Sequence, residues 1–496
     1  MRVLRFVVLL FMCVAVLSAQ TPQGGDKSVA GEWSAVQKWP FVAIHAALLP
    51  NGHIVGWARK DGVTEIETYV GDPKTGVFTK VLNPYVQVFC AGQTFLPDGT
   101  LLVAGGHDKF DGQGAIQTTL FDYRTNKWTK SANMNAGRWY PTTSPLSNGD
   151  VVVVSGLMPQ RDRSEGSNGV NGLPQVWSKG TWRDLTGARN QNINLYPWLL
   201  LAPDGTVFMA GPAANTRSLN TAGTGRWTDE KDSKRTKSGA LRDYGSAVMY
   251  EPGKVLIVGG GEDPPLKSAE TFDLNKSGAE WEFTGSMTFA RRQMNATILA
   301  DGTVLATGGT SGVGFNNTNT PVYEAELWDP ATGKWRTLAK ASVPRLYHSI
   351  ALLLPDATVL NAGGGLPPWG VPPPSPNYEA GPFHANAQIY SPPYLFRPGS
   401  RPTIGSAPTN VKYGETFTIV TPDAASITKV SLIRPGAVTH AFDESQRFIP
   451  LVPTVSDGKI TVTAPDRGAI APPGPYMLFI LNRDGVPSVA KFITIG

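Results

Sequence analysis

Cys90, in Val88-Phe89-Cys90-Ala91-Gly92, is the one cysteine that this 496-residue chain keeps once its apolar leader is set aside; the other, Cys13, lies inside that leader. An exported chain with a single thiol has no partner for an internal disulfide, and a free thiol outside the cytosol is open to oxidation. Three readings stand: a buried small hydrophobe, a disulfide to another chain, or a thiol consumed in chemistry. The usual burial of free cysteine favours the first. Three later segments favour the third. Tyr140 lies in Gly137-Arg138-Trp139-Tyr140-Pro141-Thr142, and Tyr347 and His348 in Pro344-Arg345-Leu346-Tyr347-His348-Ser349. His440 ends Arg434-Pro435-Gly436-Ala437-Val438-Thr439-His440.

The leader itself reads as a signal peptide over residues 1–19. Met1 to Arg5 is charged, Phe6 to Leu17 is apolar but too short to span a bilayer, and Ser18-Ala19-Gln20 is a small-residue cleavage site. Bulky Met12 argues against a lipid anchor at Cys13. A secreted or periplasmic, soluble protein is expected. With 54 Gly, 41 Pro and 17% charged residues, the composition is too apolar for disorder and too turn-rich for a helical protein. The net charge of +5 is spread along the chain, with no Lys/Arg run interleaved with aromatics. Nucleic-acid binding is therefore not expected.

One pattern recurs between these segments: an Asp/Asn-Gly turn, a β-branched strand, then Gly-Gly or a relic of it. It occurs at Asn51-Gly52, Asp98-Gly99, Asn148-Gly149, Asp204-Gly205, Pro252-Gly253, Asp301-Gly302 and Asp356-Ala357. The step is about 50 residues, the period of a kelch blade. Asn-Gly and Asp-Gly supply the positive φ of tight hairpins, and the Val/Ile/Leu runs suit strands buried on both faces. Ring closure would bury both faces of each small sheet and leave few edges. The pattern predicts an all-β chain: a seven-bladed kelch-type β-propeller over 20–398, then a C-terminal immunoglobulin-like β-sandwich over 399–496. The glycine runs follow strands but open no helix, so they do not read as phosphate loops.

A propeller aims equivalent blade positions at one axial channel. Cys90 and Tyr140, in successive blades, and Tyr347, in the last, stand in the same place relative to their blades, so these three and His348 can converge there. His440 is expected at a hairpin tip of the second domain, reaching along the axis. His45 is ambiguous between core packing and a supporting role beside the site, with packing favoured. His53, His107 and His384 read as loop or surface residues.

Phe89-Cys90-Ala91-Gly92, Arg138-Trp139-Tyr140, Tyr347-His348-Ser349 and Thr439-His440 resemble, in this order, motifs of the mononuclear copper radical oxidases, the galactose oxidase and glyoxal oxidase family. The resemblance runs from about Trp33 to the C-terminus. It implies one copper per chain, held by Tyr140, Tyr347, His348 and His440, with a position left for substrate. It also implies that Cys90 is joined to the Tyr140 ring by a self-processed thioether that stabilises a tyrosyl radical. Cys90, Tyr140 and Tyr347 would then be catalytic, with Tyr347 as general base. The expected reaction is oxidation of a small aldehyde or primary alcohol by O2 with release of H2O2.

Two departures bear on substrate. Galactose oxidase stacks a tryptophan over its thioether after the strand that follows the radical tyrosine, and counting along this chain puts Met158 there. The sugar-binding domain that precedes that enzyme's propeller is also not expected, because the repeats begin soon after the leader. Arg138-Trp139-Tyr140-Pro141-Thr142 and His45-Ala46-Ala47-Leu48-Leu49 resemble glyoxal oxidase more, and with the two departures they favour small aldehydes or simple primary alcohols over galactose. A monomer is expected, with no membrane insertion. The competing readings are a non-catalytic extracellular propeller that binds glycan or cell-wall polymer, and a propeller glycosidase, for which the chain lacks repeated Ser-x-Asp-x-Gly-x-x-Trp boxes.

Overall fold

The computed structural model describes residues 25–496 apart from 61, 110–111, 165–166, 230–232, 262 and 366–382. The leader expected at 1–19, with Cys13, lies outside the described residues. Among the described residues no helix is long and apolar enough to cross a membrane.

Seven small antiparallel sheets follow one another from His45 to Ser391. Their first strands are His45–Leu48, Gly92–Phe95, Thr142–Pro145, Trp198–Leu201, Ser246–Glu251, Arg292–Ile298 and Ser349–Leu353. Each packs against the first strand of a neighbouring sheet, and Ser349–Leu353 packs back on His45–Leu48. The second strands are the β-branched runs of the repeat. Leu101–Ala104, Val151–Val154 and Val304–Thr310 are buried along their whole length. The turn before each demands positive φ, met by Gly99 (82°), Gly149 (87°), Gly205 (86°) and Gly302 (89°). The seventh sheet is completed from the other end of the chain: Glu32–Trp33 pairs with Asn386–Ser391, Trp33 opposite Tyr390.

A buried arginine staples four of these sheets. Arg138, Arg242, Arg291 and Arg345 donate to the carbonyls of Ser155 (2.7 Å), Gly259 (2.8 Å), Gly308 (2.9 Å) and Gly363 (2.7 Å). Each then reaches a polar side chain on the third strand: Gln175, Glu270, Glu326 and Asn386 respectively. The two terminal nitrogens of one planar head satisfy carbonyls that the glycine-rich turns would leave unpaired in the interior. The arginine ahead of each strand in the sequence is thus a structural repeat.

After a short connection at Pro393–Phe396, the C-terminal part forms two further sheets. One is five-stranded, ordered Asn410–Val411, Lys491–Ile495, Gly474–Asn482, Ile427–Arg434 and Arg447–Leu451. The other is three-stranded: Thr416–Val420, Lys459–Thr463 and Thr454–Ser456. They share an apolar core that includes Ile419, Leu432, Ile460, Leu478 and Ile493. One hairpin leaves this unit, Ala437–Thr439 and Phe442–Asp443, and pairs with the first sheet (His45 opposite Thr439, Ala47 opposite Ala437). Its base is anchored by Arg434 to the Phe95 carbonyl at 2.7 Å and by Gln446 to the Ala296 carbonyl at 2.8 Å.

Candidate metal centre

His440 and Ala441 form the two-residue tip of that hairpin, both with positive φ (47° and 74°). This is the twist a tight hairpin wants, here without the usual glycine. A matching set of left-handed residues stands at the start of the first strands of the sheets: Cys90 (φ 62°), Tyr140 (63°), Tyr196 (45°), Tyr244 (51°) and His348 (67°) just before them, and Gln293 (59°) as the second residue of its own. Such conformations cost on the order of 1–3 kcal/mol each and cluster where function over-determines the backbone. Three of them are chained: Tyr140 N–H bonds the Cys90 carbonyl (2.9 Å), and Tyr196 N–H bonds the Tyr140 carbonyl (2.8 Å).

The side chains from these turns meet the hairpin tip. The hydroxyls of Tyr140 and Tyr347 are hydrogen bonded to each other, and both rings are buried. The His440 ring lies 4.6 Å from Tyr140 and 4.7 Å from His348, centroid to centroid. Its Nε2 is 3.8 Å from Cys90 Sγ. The Tyr347 and His348 rings stack at 3.7 Å.

The hydrogen bonds fix both tautomers. Thr439 donates its hydroxyl to the Ile44 carbonyl (3.1 Å), so its oxygen accepts Nδ1–H of His440 (2.6 Å). His348 Nδ1–H donates to the Gly365 carbonyl at 3.3 Å. Each imidazole is left with an Nε2 lone pair, and that of His348 is buried with no hydrogen-bond partner. Burial, aided by the neighbouring imidazoles, holds both histidines well below their usual pKa, so both are neutral. Among the described residues no three His, Cys, Asp or Glu side chains are grouped to hold a metal ion, so a metal here draws on phenol oxygens as well. Two imidazole nitrogens and two phenol oxygens, with a buried lone pair that no protein donor satisfies, suit a copper ion, which favours N,O donors.

Tyr244 and Tyr196 complete the surroundings, and sequence reading did not single out either. The Tyr244 hydroxyl bonds those of Tyr347 and Tyr140, while burial raises its pKa. The Tyr196 ring lies 4.4 Å from Tyr140 and its hydroxyl donates to the Ala91 carbonyl at 3.1 Å. Both stand where Cys90 and Tyr140 stand in their own sheets, so the repeat contained the signal. The register also corrects one equivalence. His348, not Tyr347, occupies the left-handed place of Cys90 and Tyr140: that place is two residues after Arg138, Arg242 and Arg291 but three after Arg345, which adds Tyr347 ahead of it. The ring lying on Tyr140 is its own neighbour Trp139, at 3.8 Å and 16°, a partner that counting on to Met158 does not anticipate.

His45 is buried, as expected of a core histidine, but it does more than pack. Its Nε2 accepts the Cys90 N–H at 2.9 Å, and its ring stacks on Trp57. Burial pushes its pKa down to about 3. Gln93 N–H donates to Glu444 Oε2 at 3.0 Å, which also accepts Thr143 N–H and Thr143 Oγ1–H at 2.6 Å each. Burial raises the Glu444 carboxyl to about 8 against these bonds. His107, read as loop or surface, is buried edge-on to Phe89 (5.7 Å); His53 is exposed and His384 half-buried.

Residues 72–227 and 260–368 match the family described as Glyoxal oxidase N-terminus, and residues 401–495 match Galactose oxidase-like, Early set domain. The chain is 32% identical to a galactose oxidase of Gibberella zeae, over 96% of this chain and 72% of that one. It is 30% identical to aldehyde oxidase GLOX of Vitis pseudoreticulata, over 90% of each. Among solved structures it resembles a fungal alcohol oxidase of the AA5 family in complex with copper (TM-score 0.82, 28% identity, 94% of this chain and 99% of that one).

Proposed function

The chain belongs to the galactose oxidase and glyoxal oxidase family of copper oxidoreductases, and from that premise we propose that it is a secreted oxidase of small aldehydes or primary alcohols, releasing H2O2. The observation that carries the reading is the meeting of Tyr140, Tyr347, His348 and His440 beside Cys90, with the His348 Nε2 lone pair buried and unmet by any protein donor and that of His440 facing only the Cys90 thiol at 3.8 Å. We assign the metal to those four side chains, and the cofactor to Tyr140 joined at its ring to Cys90 Sγ. The seven sheets read as the blades of a kelch-type propeller (20–398), and the C-terminal pair as an immunoglobulin-like sandwich (399–496) that lends His440. Residues 1–19 read as the export signal, and the working unit as a monomer.

Copper, when bound, would supply a Lewis-acidic position for the substrate oxygen and a sink for one electron. Tyr347, its oxygen against that of Tyr140, accepts the hydroxyl proton of an alcohol or aldehyde hydrate. Tyr140, once joined to Cys90 and oxidised by one electron, would accept the hydrogen atom from the adjacent carbon. The substrate thereby loses two electrons and two protons, which O2 carries away as H2O2. His348 and His440 stay neutral throughout, as their burial requires. Small aldehydes are favoured over galactose because the match to the grape aldehyde oxidase spans 90% of both chains, and because Trp139 rather than a residue after the next strand covers Tyr140.

Peptide mass after copper loading in air tests the reading. A Cys90 peptide joined to the Tyr140 peptide, two hydrogens lighter than their sum, is expected. A free, alkylatable Cys90 after full copper loading overturns it in favour of a non-catalytic glycan-binding propeller.

A further inference from the structure

The peptide that carries Cys90 is held by groups that the reaction itself does not use. His45 accepts the Cys90 N–H at 2.9 Å. Beside it, the Gln93 side chain donates to the Val438 carbonyl of the His440 hairpin at 3.0 Å. Glu444, on that same hairpin, takes two backbone N–H groups on one oxygen, those of Gln93 and Thr143. Gln93 is the third residue after Cys90, and Thr143 the third after Tyr140. One carboxylate oxygen therefore ties equivalent points of the two strands that present Cys90 and Tyr140.

An apolar side chain of similar size could fill either place, but it would leave the Cys90 N–H, or the Gln93 and Thr143 N–H groups, without an acceptor in a dry interior. A left-handed Cys90 has no steric reason to stay left-handed unless its N–H and carbonyl are both held. Its carbonyl is held by Tyr140 and its N–H by His45.

We propose that His45 and Glu444 are positioning residues for cofactor formation, fixing the Cys90 turn and the Tyr140 turn at the separation and angle from which the cross-link closes. This rests on the oxidase reading above. Cross-linking breaks the Cys90 S–H bond and one ring C–H bond ortho to the Tyr140 hydroxyl, and forms one C–S bond. The two electrons and two protons released go to O2, which leaves as H2O2. Neither His45 nor Glu444 is consumed; each acts by holding backbone.

The test follows cross-linking in time. Full-length protein made without copper is mixed with one equivalent of Cu(II) in air-saturated buffer, quenched at intervals, and scored by the linked peptide's mass and by bound copper. Wild type is compared with His45→Phe and His45→Gln, and with Glu444→Leu and Glu444→Gln. The phenylalanine and leucine variants are expected to cross-link about tenfold more slowly, the scale of one lost hydrogen bond, while still binding copper. The glutamine variants, whose amide oxygen can accept the same N–H groups, should stay within about twofold of wild type. Hydrogen exchange in copper-free wild type needs no variant: the Cys90 amide should be as protected as those of Gly92–Phe95.

Wild-type rates in His45→Phe and Glu444→Leu overturn the proposal, as does equal slowing in the glutamine variants or an unprotected Cys90 amide. In each of those cases wild type still cross-links and the oxidase reading survives. Wild type that binds copper without cross-linking overturns both.

Discussion

Tyr140 donates its backbone N–H to the carbonyl oxygen of Cys90 at 2.9 Å, and both residues are left-handed. Two neighbouring sheets thereby hold a thiol and a phenol side by side at the start of their first strands. Tyr196 repeats the bond to Tyr140 at 2.8 Å. Apart from His440, the site is built on the repeat rather than on a loop inserted into it.

Tyr347→Phe removes the hydroxyl that meets Tyr140 but leaves Cys90 and the ring stack in place. A loss of about 10²–10⁴ in kcat is expected, the usual worth of a general base, with the cross-link still formed. Steady-state peroxide release and peptide mass on the same sample check this.

His440→Ala removes a donor whose Nε2 faces the site. Wild type should gain about 2.7 kcal/mol at free Cu(II) one hundred times its dissociation constant, and the variant much less. Thermal melts with and without Cu(II) read the difference.

Trp139 lies flat on Tyr140 at 3.8 Å. Trp139→Ala should cost about 1 kcal/mol from the lost stack and open the Tyr140 ring to water, so the oxidised form decays faster. Trp139→Phe should restore most of its lifetime. The decay of the oxidised enzyme's visible absorbance is the measurement.

Glu444 carries a proton in the folded protein up to about pH 8, whereas its unfolded value is 4.5. Between those values the native state holds a proton that the unfolded chain has lost, so this group's contribution to stability falls as pH rises, by about 1.4 kcal/mol per unit. Glu444→Gln has no such slope. Urea unfolding at pH 5, 7 and 9 should find the variant gaining on wild type from pH 5 upward and levelling off above about 8.

Arg138 satisfies the carbonyls of Ser155 (2.7 Å) and Leu173 (2.6 Å) inside the third sheet. Arg138→Met leaves both buried and unpaired, a loss of about 3 kcal/mol, and should lower the urea midpoint without changing its slope.

The seven turn-strand-glycine repeats, and Cys90 as the one cysteine outside the leader, are legible in the chain as written, because hairpin chemistry is local and recurs at a fixed step. The same regularity let Cys90, Tyr140 and the Tyr347-His348 pair be aimed at one axis, and the hairpin at His440 be expected there. What the step could not decide was where the register slips. One extra residue after Arg345 makes His348 the partner of Tyr140's position and Tyr347 an addition, and strand pairing alone reveals it. Tyr196 and Tyr244 stood in the repeat unnoticed, since nothing in their own segments marks them until the turns face one another. Trp139 on Tyr140, His45 on the Cys90 N–H, and Glu444 across Gln93 and Thr143 are contacts set by side-chain direction, and for His45 and Glu444 they also join distant parts of the chain. Sequence determined which donors exist and that they recur; only the packing of the sheets around the C-terminal hairpin decided which atoms meet, because the interactions that orient those donors are hydrogen bonds between residues with no fixed spacing along the chain.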